Sequence, residues 1–239
     1  MWLRHIRIAI LATLVAAPAV ADDLAPFHAA VEEVASHNRA AIGYLRTENV
    51  DLAVMELDRL RGAFGDLVAR FRTPPEPLRG NPLYLETMVD GQMRIIAASM
   101  MIDMGRLDLA RDSLLAIRKA LSDLRRAGKI EVLADCVFDA NVAMEALTAF
   151  RDAPPDLSAP AAAADVTAKS AAYADTLRRC DAMAAPTLRE SAEFRRLFDG
   201  AQASLALVPK AIGTKDQDLF HRVLIELISF DNLIAFRFG

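Results

Sequence analysis

Hydrophobic residues recur every three or four positions through the first half of the chain, which is the pattern of amphipathic helices. Segments that disfavour helix interrupt the pattern at RTEN (46–49), TPPEPLRGNP (73–82), Gly105 and Gly128. Proline removes a helical hydrogen bond, and glycine commonly follows the last turn of a helix. The pattern therefore predicts four helices, with approximate ranges 24–46, 50–71, 83–104 and 107–127.

The second half shows the same succession of apolar stripes and breaks. Its breaks are the loop DAPPDLSAPAAAAD (152–165), Pro186, Pro209 and GTKDQ (213–217). We expect Pro186 to open the seventh helix and Pro209 to kink or shorten its end. Four more helices are predicted, with stripes over about 133–150, 166–184, 186–208 and 220–234.

The layout of the two halves predicts an internal repeat. Hairpin tips fall near residues 48, 106, 158 and 215, at intervals of roughly 55 residues, and comparable stretches begin at Gly91 and Gly200. Helices of about 20 residues joined by short loops pack as antiparallel neighbours. The predicted fold class is all-α, an antiparallel bundle of about eight helices in two tandem four-helix repeats, 22–128 and 129–239. Two separate bundles and one fused body both satisfy this pattern.

Residues 1–21, MWLRHIRIAILATLVAAPAVA, have the three parts of a secretory signal peptide. Arg4 and Arg7 supply the positive region, an apolar run follows, and Ala19-Val20-Ala21 is a small-residue cleavage site. We predict cleavage between Ala21 and Asp22 and a periplasmic location for the mature protein. No other stretch reaches the ~18 uncharged apolar residues of a membrane span, so the mature chain is expected to have none.

Composition and charge limit the possible fold classes and the possible classes of binding partner. Aromatic residues are only 6% of the chain although hydrophobic residues are 54%, and much of the latter is alanine. This balance favours helices over sheets. Loss of the signal peptide removes two arginines and no acid, which moves the net charge from −4 to −6. An acidic chain without a basic cluster is not expected to bind nucleic acid.

The two cysteines are predicted to form a disulfide. Cys136 and Cys180 each lie 22 positions from residue 158, the expected tip of the hairpin between helices five and six. Equal distance from the tip places them opposite one another, and both fall on apolar stripes. An exported protein meets an oxidising environment, in which such pairs oxidise. The alternative is a pair of buried free thiols.

Methionine is concentrated in ASMMIDMGRL (98–107), at the end of the third predicted helix. Met93, Met100 and Met104 differ by about 20° on a helical wheel, so we interpret them as a core stripe of flexible fillers. Thioethers can also select Cu(I), which makes these three residues the weak candidates for a metal site. The preceding histidine lies 56 residues before Met93, and the predicted set of metal ligands is therefore none.

No catalytic constellation stands out in the sequence. A glycine-rich phosphate loop, the Gly-x-Ser-x-Gly motif and zinc-type spacing are all missing. His28 and His37 are nine residues apart, so they project to opposite sides of a straight helix and cannot share a metal. We predict a protein that is not an enzyme, with no catalytic residues and no resident cofactor.

The hairpins AIGYLRTENVDLAVMELDRLRGAF (41–64) and MIDMGRLDLARDSLLAIRKALSDL (101–124) carry a resemblance. Together with the long proline-containing loop between them, they resemble periplasmic four-helix bundles of the cytochrome c-prime and cytochrome b562 type. The resemblance covers the first half well and the second half loosely. It implies a four-helix bundle for each half and, in the family, a bound haem.

The haem ligands of that family are not found in this chain. A c-type haem needs Cys-x-x-Cys-His, whereas VFDA follows Cys136 and DAMA follows Cys180, which excludes covalent haem. The b562 type uses a methionine early in the first helix and a histidine late in the last. The helix at 24–46 has no methionine, and His221 lies near the start of the eighth helix. The sequence is thus interpreted as a haem-less relative.

Three functions follow as hypotheses. The first is a non-enzymatic envelope protein that binds a partner protein or a small ligand between its halves. The second is an interaction scaffold, because YLRTENVDLAVMELDRL and MGRLDLARDSLLAI resemble tetratricopeptide turns; the 34-residue period of that repeat is missing, however. The third is a redox carrier that holds haem b or copper on the methionine stripe. The ligand, the partner and the oligomeric state stay open.

Overall fold

The computed structural model describes residues 23–239, so the predicted signal peptide and its Ala21/Asp22 cleavage site lie outside the described residues. Over this range the secondary structure is helical, which confirms the predicted all-α bundle. No helix within it is both long and apolar enough to cross a membrane. The helices are α1 (Leu24–Arg46), α2 (Val50–Arg70), α3 (Leu83–Asp103), α4 (Leu107–Ala127), α5 (Leu133–Asp152), α6 (Pro160–Met183), α7 (Pro186–Arg189), α8 (Ala192–Leu205), α9 (Val208–Thr214) and α10 (Gln217–Phe238), with a 3-10 turn at Glu76–Leu78.

The first four helices pack as two hairpins, α1 on α2 and α3 on α4, and the hairpins meet through α1–α4 and α2–α3 contacts. Gly105 joins α3 to α4 with a φ of +70°, a left-handed conformation that favours glycine. The long loop between α2 and α3 is tied back by Tyr84, whose hydroxyl donates to the Phe71 carbonyl at 2.5 Å. These breaks lie where the sequence predicts them.

The predicted seventh helix is divided into three, and this is the main departure from the eight-helix prediction. Pro186 opens the single turn of α7, and the Ser191 side chain then caps α8 by accepting a hydrogen bond from the Phe194 amide at 3.3 Å. α8 ends at Leu205, and Pro209 lies in the first turn of α9. A proline is tolerated there because the first helical amides have no partner within the helix.

Buried hydrophobic residues form two clusters, one spanning Phe27 to Ile130 and the other Cys136 to Ile234. Between them, Arg125 on α4 makes a two-point ion pair with Asp135 on α5, at 2.8 and 2.5 Å. Both side chains of this pair are only 9% exposed. The halves are thus joined by a buried, directional contact, while their interpretation as tandem repeats remains a prediction.

α3 is apolar on two opposite faces, and the predicted core stripe lies on the outer one. Met93, Met100 and Met104 are 61%, 55% and 58% exposed, so their placement in the core is wrong. The buried face is instead formed by Tyr84, Met88, Gly91, Ile95, Ala98 and Ile102. The physical reason is Gly91, where a Cβ atom would lie 2.2 Å from Cζ of Phe64. The Phe64 ring fills that notch and fixes which face of α3 turns inward.

Candidate functional site: a cationic cleft between the two halves

A cleft of about 730 Å³ lies between the two halves, lined by residues of α1, α4, α5 and α10. Its volume falls within the range of ~300–1,000 Å³ that is usual for small-molecule sites. Apolar side chains from all four helices contribute to its walls, as ligand pockets generally require. These apolar residues are Ile42, Leu115, Phe138, Val142, Met144, Ile228 and Phe236.

The charged residues of the cleft are mostly basic. Six cations line it, Arg39, Arg46, Arg111, Arg118, Lys119 and Arg151, against the two acids Glu145 and Asp231. Three of the cations have carboxylate partners outside the lining: Arg39 with Glu32, Lys119 with Asp123 and Arg151 with Asp152. The protein as a whole carries a net negative charge, whereas the side chains that line the cleft carry a net positive charge.

Of the three cleft cations that form no ion pair among the described residues, Arg118 donates to Asn141 instead, and the other two are Arg46 and Arg111. Neither forms an ion pair within residues 23–239, although most other arginines of this region do. They also act on one another, since burial and the nearby Arg111 lower the pKa of Arg46 while Asp231 raises it. Two like charges facing one partly apolar cavity create an electrostatic potential that favours an anion.

Arg118 connects the halves at the inner part of the cleft. Its Nη1 donates to Oδ1 of Asn141 on α5 at 2.5 Å, and its guanidinium lies 5.2 Å from the centre of the Phe138 ring. Nε and Nη2 of Arg118 are buried, with no hydrogen-bond partner among the described residues. Burial lowers the pKa of Arg118 to about 10, although Asp231 opposes the shift.

Asp231 on α10 is held by donors from α5 and α6. Its Oδ1 accepts from Nδ2 of Asn141 at 2.9 Å and from the Tyr173 hydroxyl at 3.3 Å. Burial raises the pKa of Asp231 to about 6, against the opposite effects of Asn141, Tyr173 and Arg118. Burial and the adjacent Asp231 in turn raise the pKa of Tyr173. The cleft therefore contains an acid that gains its proton just below neutral pH.

The chemistry available in the cleft is recognition by charge and by apolar contact. Arginine side chains bind carboxylate, sulfonate and phosphate groups through paired N–H donors. The lining contains no serine, cysteine or histidine among the described residues. The arrangement suits an anionic head group with an apolar portion.

Cys136 on α5 and Cys180 on α6 are joined by a disulfide with a Cα–Cα distance of 5.4 Å. Both residues are buried in the second cluster, which confirms the prediction from their equal distance to the hairpin tip. They lie outside the cleft lining. The disulfide therefore stabilises the half that carries α5 and α10 but takes no part in the site.

The metal candidates are not brought to a common site with other ligands. Met93, Met100 and Met104 lie along the exposed side of α3. His37, which could have supplied nitrogen, instead pairs through Nδ1 with Oε2 of Glu56 at 2.7 Å. Over residues 23–239 there is no cluster of three or more histidine, cysteine or acidic side chains placed to hold a metal ion.

The cleft residues come from four helices spread over nearly the whole chain, so no local pattern in the sequence groups them. A signal is visible in retrospect. Arg39, Gly43 and Arg46 follow one another at steps of four and three, as do Arg111, Leu115 and Arg118. Each set is a second helical stripe, next to the apolar one, with arginine at both ends.

The chain was compared with protein-family models, with curated proteins and with solved structures, and none of them matches it.

Proposed function

We propose that the protein is an exported, non-enzymatic helical-bundle protein of the cell envelope that binds a small amphipathic anion in the cleft between its halves. The observation that carries this proposal is the pair Arg46 and Arg111, two like charges that form no ion pair with a carboxylate among the described residues and that share the cleft with apolar side chains. An anion between them relieves their repulsion. Each charge-assisted hydrogen bond contributes about 1.5–3 kcal/mol.

The apolar part of the ligand is inferred from the remaining lining. Phe138 and Val142 on α5 and Ile228 and Phe236 on α10 leave room for a hydrocarbon or aromatic group beside the arginines. Burial of apolar surface contributes about 25 cal/mol per Å². Charge then selects and orients the head group, and apolar contact supplies much of the affinity.

Export is supported by two independent features. The first is the predicted signal peptide over residues 1–21. The second is the Cys136–Cys180 disulfide, since such bonds persist mainly in oxidising compartments. The non-enzymatic part of the proposal is supported by the missing catalytic motifs in the sequence and by the chemistry of the lining.

The experiment is calorimetric titration of the exported protein with decanesulfonate and, separately, with decanol. The two probes share a ten-carbon chain, and the sulfonate keeps its charge at every pH used. We expect the sulfonate to bind more tightly by about tenfold or more, because the neutral alcohol forgoes the charge-assisted bonds. Equal affinity for the two probes would contradict the anion site.

The variant Arg46→Gln/Arg111→Gln tests the named residues. It should weaken sulfonate binding by at least about tenfold and leave decanol binding nearly unchanged. The matched control is Arg72→Gln/Arg222→Gln, which removes the same total charge from two exposed arginines outside the lining. If both double variants weaken binding equally, the effect comes from net charge and the cleft assignment is wrong.

A further inference from the structure

The outer face of α3 is the most apolar exposed surface among the described residues. Seven large hydrophobic side chains among the described residues are at least half exposed. Five of them belong to α3, and a sixth, Met104, directly follows its last residue. They fall within a sector of about 100° on the helical wheel, opposite the buried face. These six residues, named here the α3 stripe, are Leu85, Val89, Met93, Ile96, Met100 and Met104.

The α3 stripe is large for an exposed apolar patch. The exposed area of its six side chains is roughly 600 Å², at the upper end of the ~300–600 Å² of the largest patch on a typical monomer. Each partner in a stable complex contributes about 800 Å², so the α3 stripe with its immediate borders is large enough for one. The second half has no helix with a comparable row among its exposed hydrophobics.

The spacing of the α3 stripe is symmetric along the helix. Its steps are four, four, three, four and four residues, so its members are equidistant in pairs from the point between Arg94 and Ile95. The pairs are Leu85 with Met104, Val89 with Met100, and Met93 with Ile96. A helix with this spacing can lie antiparallel on a second copy of itself, with every apolar residue level with another.

We infer that the α3 stripe is the interface of a two-fold symmetric homodimer, in which α3 of one copy packs antiparallel on α3 of the other. Such an interface requires one self-complementary patch, and the symmetric spacing supplies it. The inference is independent of the cleft, which is lined by α1, α4, α5 and α10 and not by α3.

The charges beside the α3 stripe are compatible with this arrangement. Asp90 is paired with Arg94 on the same helix, Nε to Oδ2, at 2.5 Å. Glu86 and Asp103 project from opposite edges of the stripe. A two-fold axis that relates antiparallel helices brings like edges together, so Glu86 and Asp103 remain on opposite sides of the interface.

Sedimentation equilibrium of the exported protein tests the oligomeric state. We expect a reversible dimer, and we expect Met93→Glu/Ile96→Glu to weaken it by more than about 100-fold, because each copy then buries two charges beside the two-fold axis. The control Ile225→Glu/Leu233→Glu changes two exposed hydrophobics on α10 and should leave the dimer unchanged. Circular dichroism confirms that both variants fold, since all four positions are exposed.

Spin labels determine the arrangement of the two helices. The native cysteines are joined in a disulfide, so a cysteine introduced by Leu85→Cys or Ile96→Cys is the single reactive thiol. An antiparallel pair places labels at Leu85 roughly 30 Å apart, and labels at Ile96 roughly 10–15 Å apart. Short distances at both positions would show a parallel pair and overturn the inference.

Two further outcomes would also overturn it. The first is a monomer at every concentration, including one that binds vesicles of phosphatidylcholine, which would assign the α3 stripe to a membrane surface. The second is a dimer that persists in Met93→Glu/Ile96→Glu, which would place the interface elsewhere. Loss of the dimer with unchanged sulfonate binding supports the inference and separates it from the cleft proposal.

Discussion

Both halves of the molecule use a glycine to let a phenylalanine ring approach a helix, but they surround the ring differently. A Cβ atom on Gly91 would lie 2.2 Å from Cζ of Phe64, and one on Gly200 would lie 2.4 Å from Cζ of Phe230. Phe64 is 1% exposed and closed in by the first core, whereas Phe230 packs at the edge of the second core and is only partly buried. The close approach is the same, but only the Phe230 ring is partly exposed.

The halves also differ in what holds them together. The first half has four long helices and no covalent cross-link, and it leaves the outer face of α3 apolar. The second half breaks its third long segment into α7, α8 and α9, and the disulfide ties α5 to α6. Shorter helices offer less continuous packing surface, and the disulfide lies in the half that contains them.

The largest effect is expected from removal of the disulfide. Cys136→Ala/Cys180→Ala opens a loop whose ends are 44 residues apart, which should lower the free energy of unfolding by about 4 kcal/mol in the chain-entropy description. Hydrogen exchange followed by mass spectrometry should show faster exchange in α5 and α6, with little change in α1 to α4. An equal increase of the exchange rate in both halves would mean that they unfold as one unit, and would contradict a stabilising effect confined to the second half.

The next effect is a pH dependence that comes from the second half. The pKa of Asp231 is about 6 in the folded protein against an ordinary value of 3.8. Between these values the folded state keeps a proton that the unfolded state has lost, so stability falls as pH rises through this window. The full contribution, on the order of 3 kcal/mol, is present below pH 3.8 and is lost above about pH 6.

Asp231→Asn isolates this contribution, because asparagine keeps an acceptor oxygen and cannot ionise. Denaturant titrations at pH 4 and pH 7 should show the variant gaining stability relative to the native protein as pH rises, by up to about 3 kcal/mol. Effects of other carboxylates are common to both proteins and cancel in the difference. A difference that does not change with pH would show that Asp231 is not buried as described.

The smallest effects compare the two glycines directly. Gly91→Ala should lower the free energy of unfolding by about 1–3 kcal/mol, because the Phe64 ring is enclosed by the core and has little room to shift. Gly200→Ala should lower the free energy of unfolding by less, since the partly exposed Phe230 ring can shift toward solvent. The control is Gly62→Ala in α2, where a Cβ atom would meet nothing within 4 Å; there the higher helix propensity of alanine should stabilise by about 1 kcal/mol. Equal losses at Gly91 and Gly200 would contradict the difference between the two rings.

Local patterns in the sequence predicted those features that depend on neighbouring residues. The proline loop before Leu83 and the turn at Gly105 follow from backbone chemistry alone, and α3 lies between them as expected. The disulfide was predictable because a hairpin converts position along the chain into position in space. Cys136 and Cys180 needed only a correct estimate of the hairpin tip.

Features that depend on distant elements were not predictable in the same way. α3 offers two apolar faces, and periodicity does not distinguish the face with Gly91 from the face with Met93. The distinction comes from Phe64 on another helix. Similarly, Ser191 and Pro209 each permit a helix start, but only packing in the second half determines that the predicted seventh helix breaks at both places. The cleft requires Arg46, Arg111 and Asp231 to meet across both halves.

Asn38 connects the interior of the first half to the properties of the cleft. It is 2% exposed on α1, and its Nδ2 donates to the Leu114 carbonyl on α4 at 3.0 Å. Arg46 and Arg111 lie on these same two helices, so the hydrogen bond fixes how far one helix can slide along the other. A slip of one turn, about 5.4 Å, would change the distance between the two arginines. The neutral amide of Asn38 in the core thus helps to set the distance between two charged side chains with which it makes no contact.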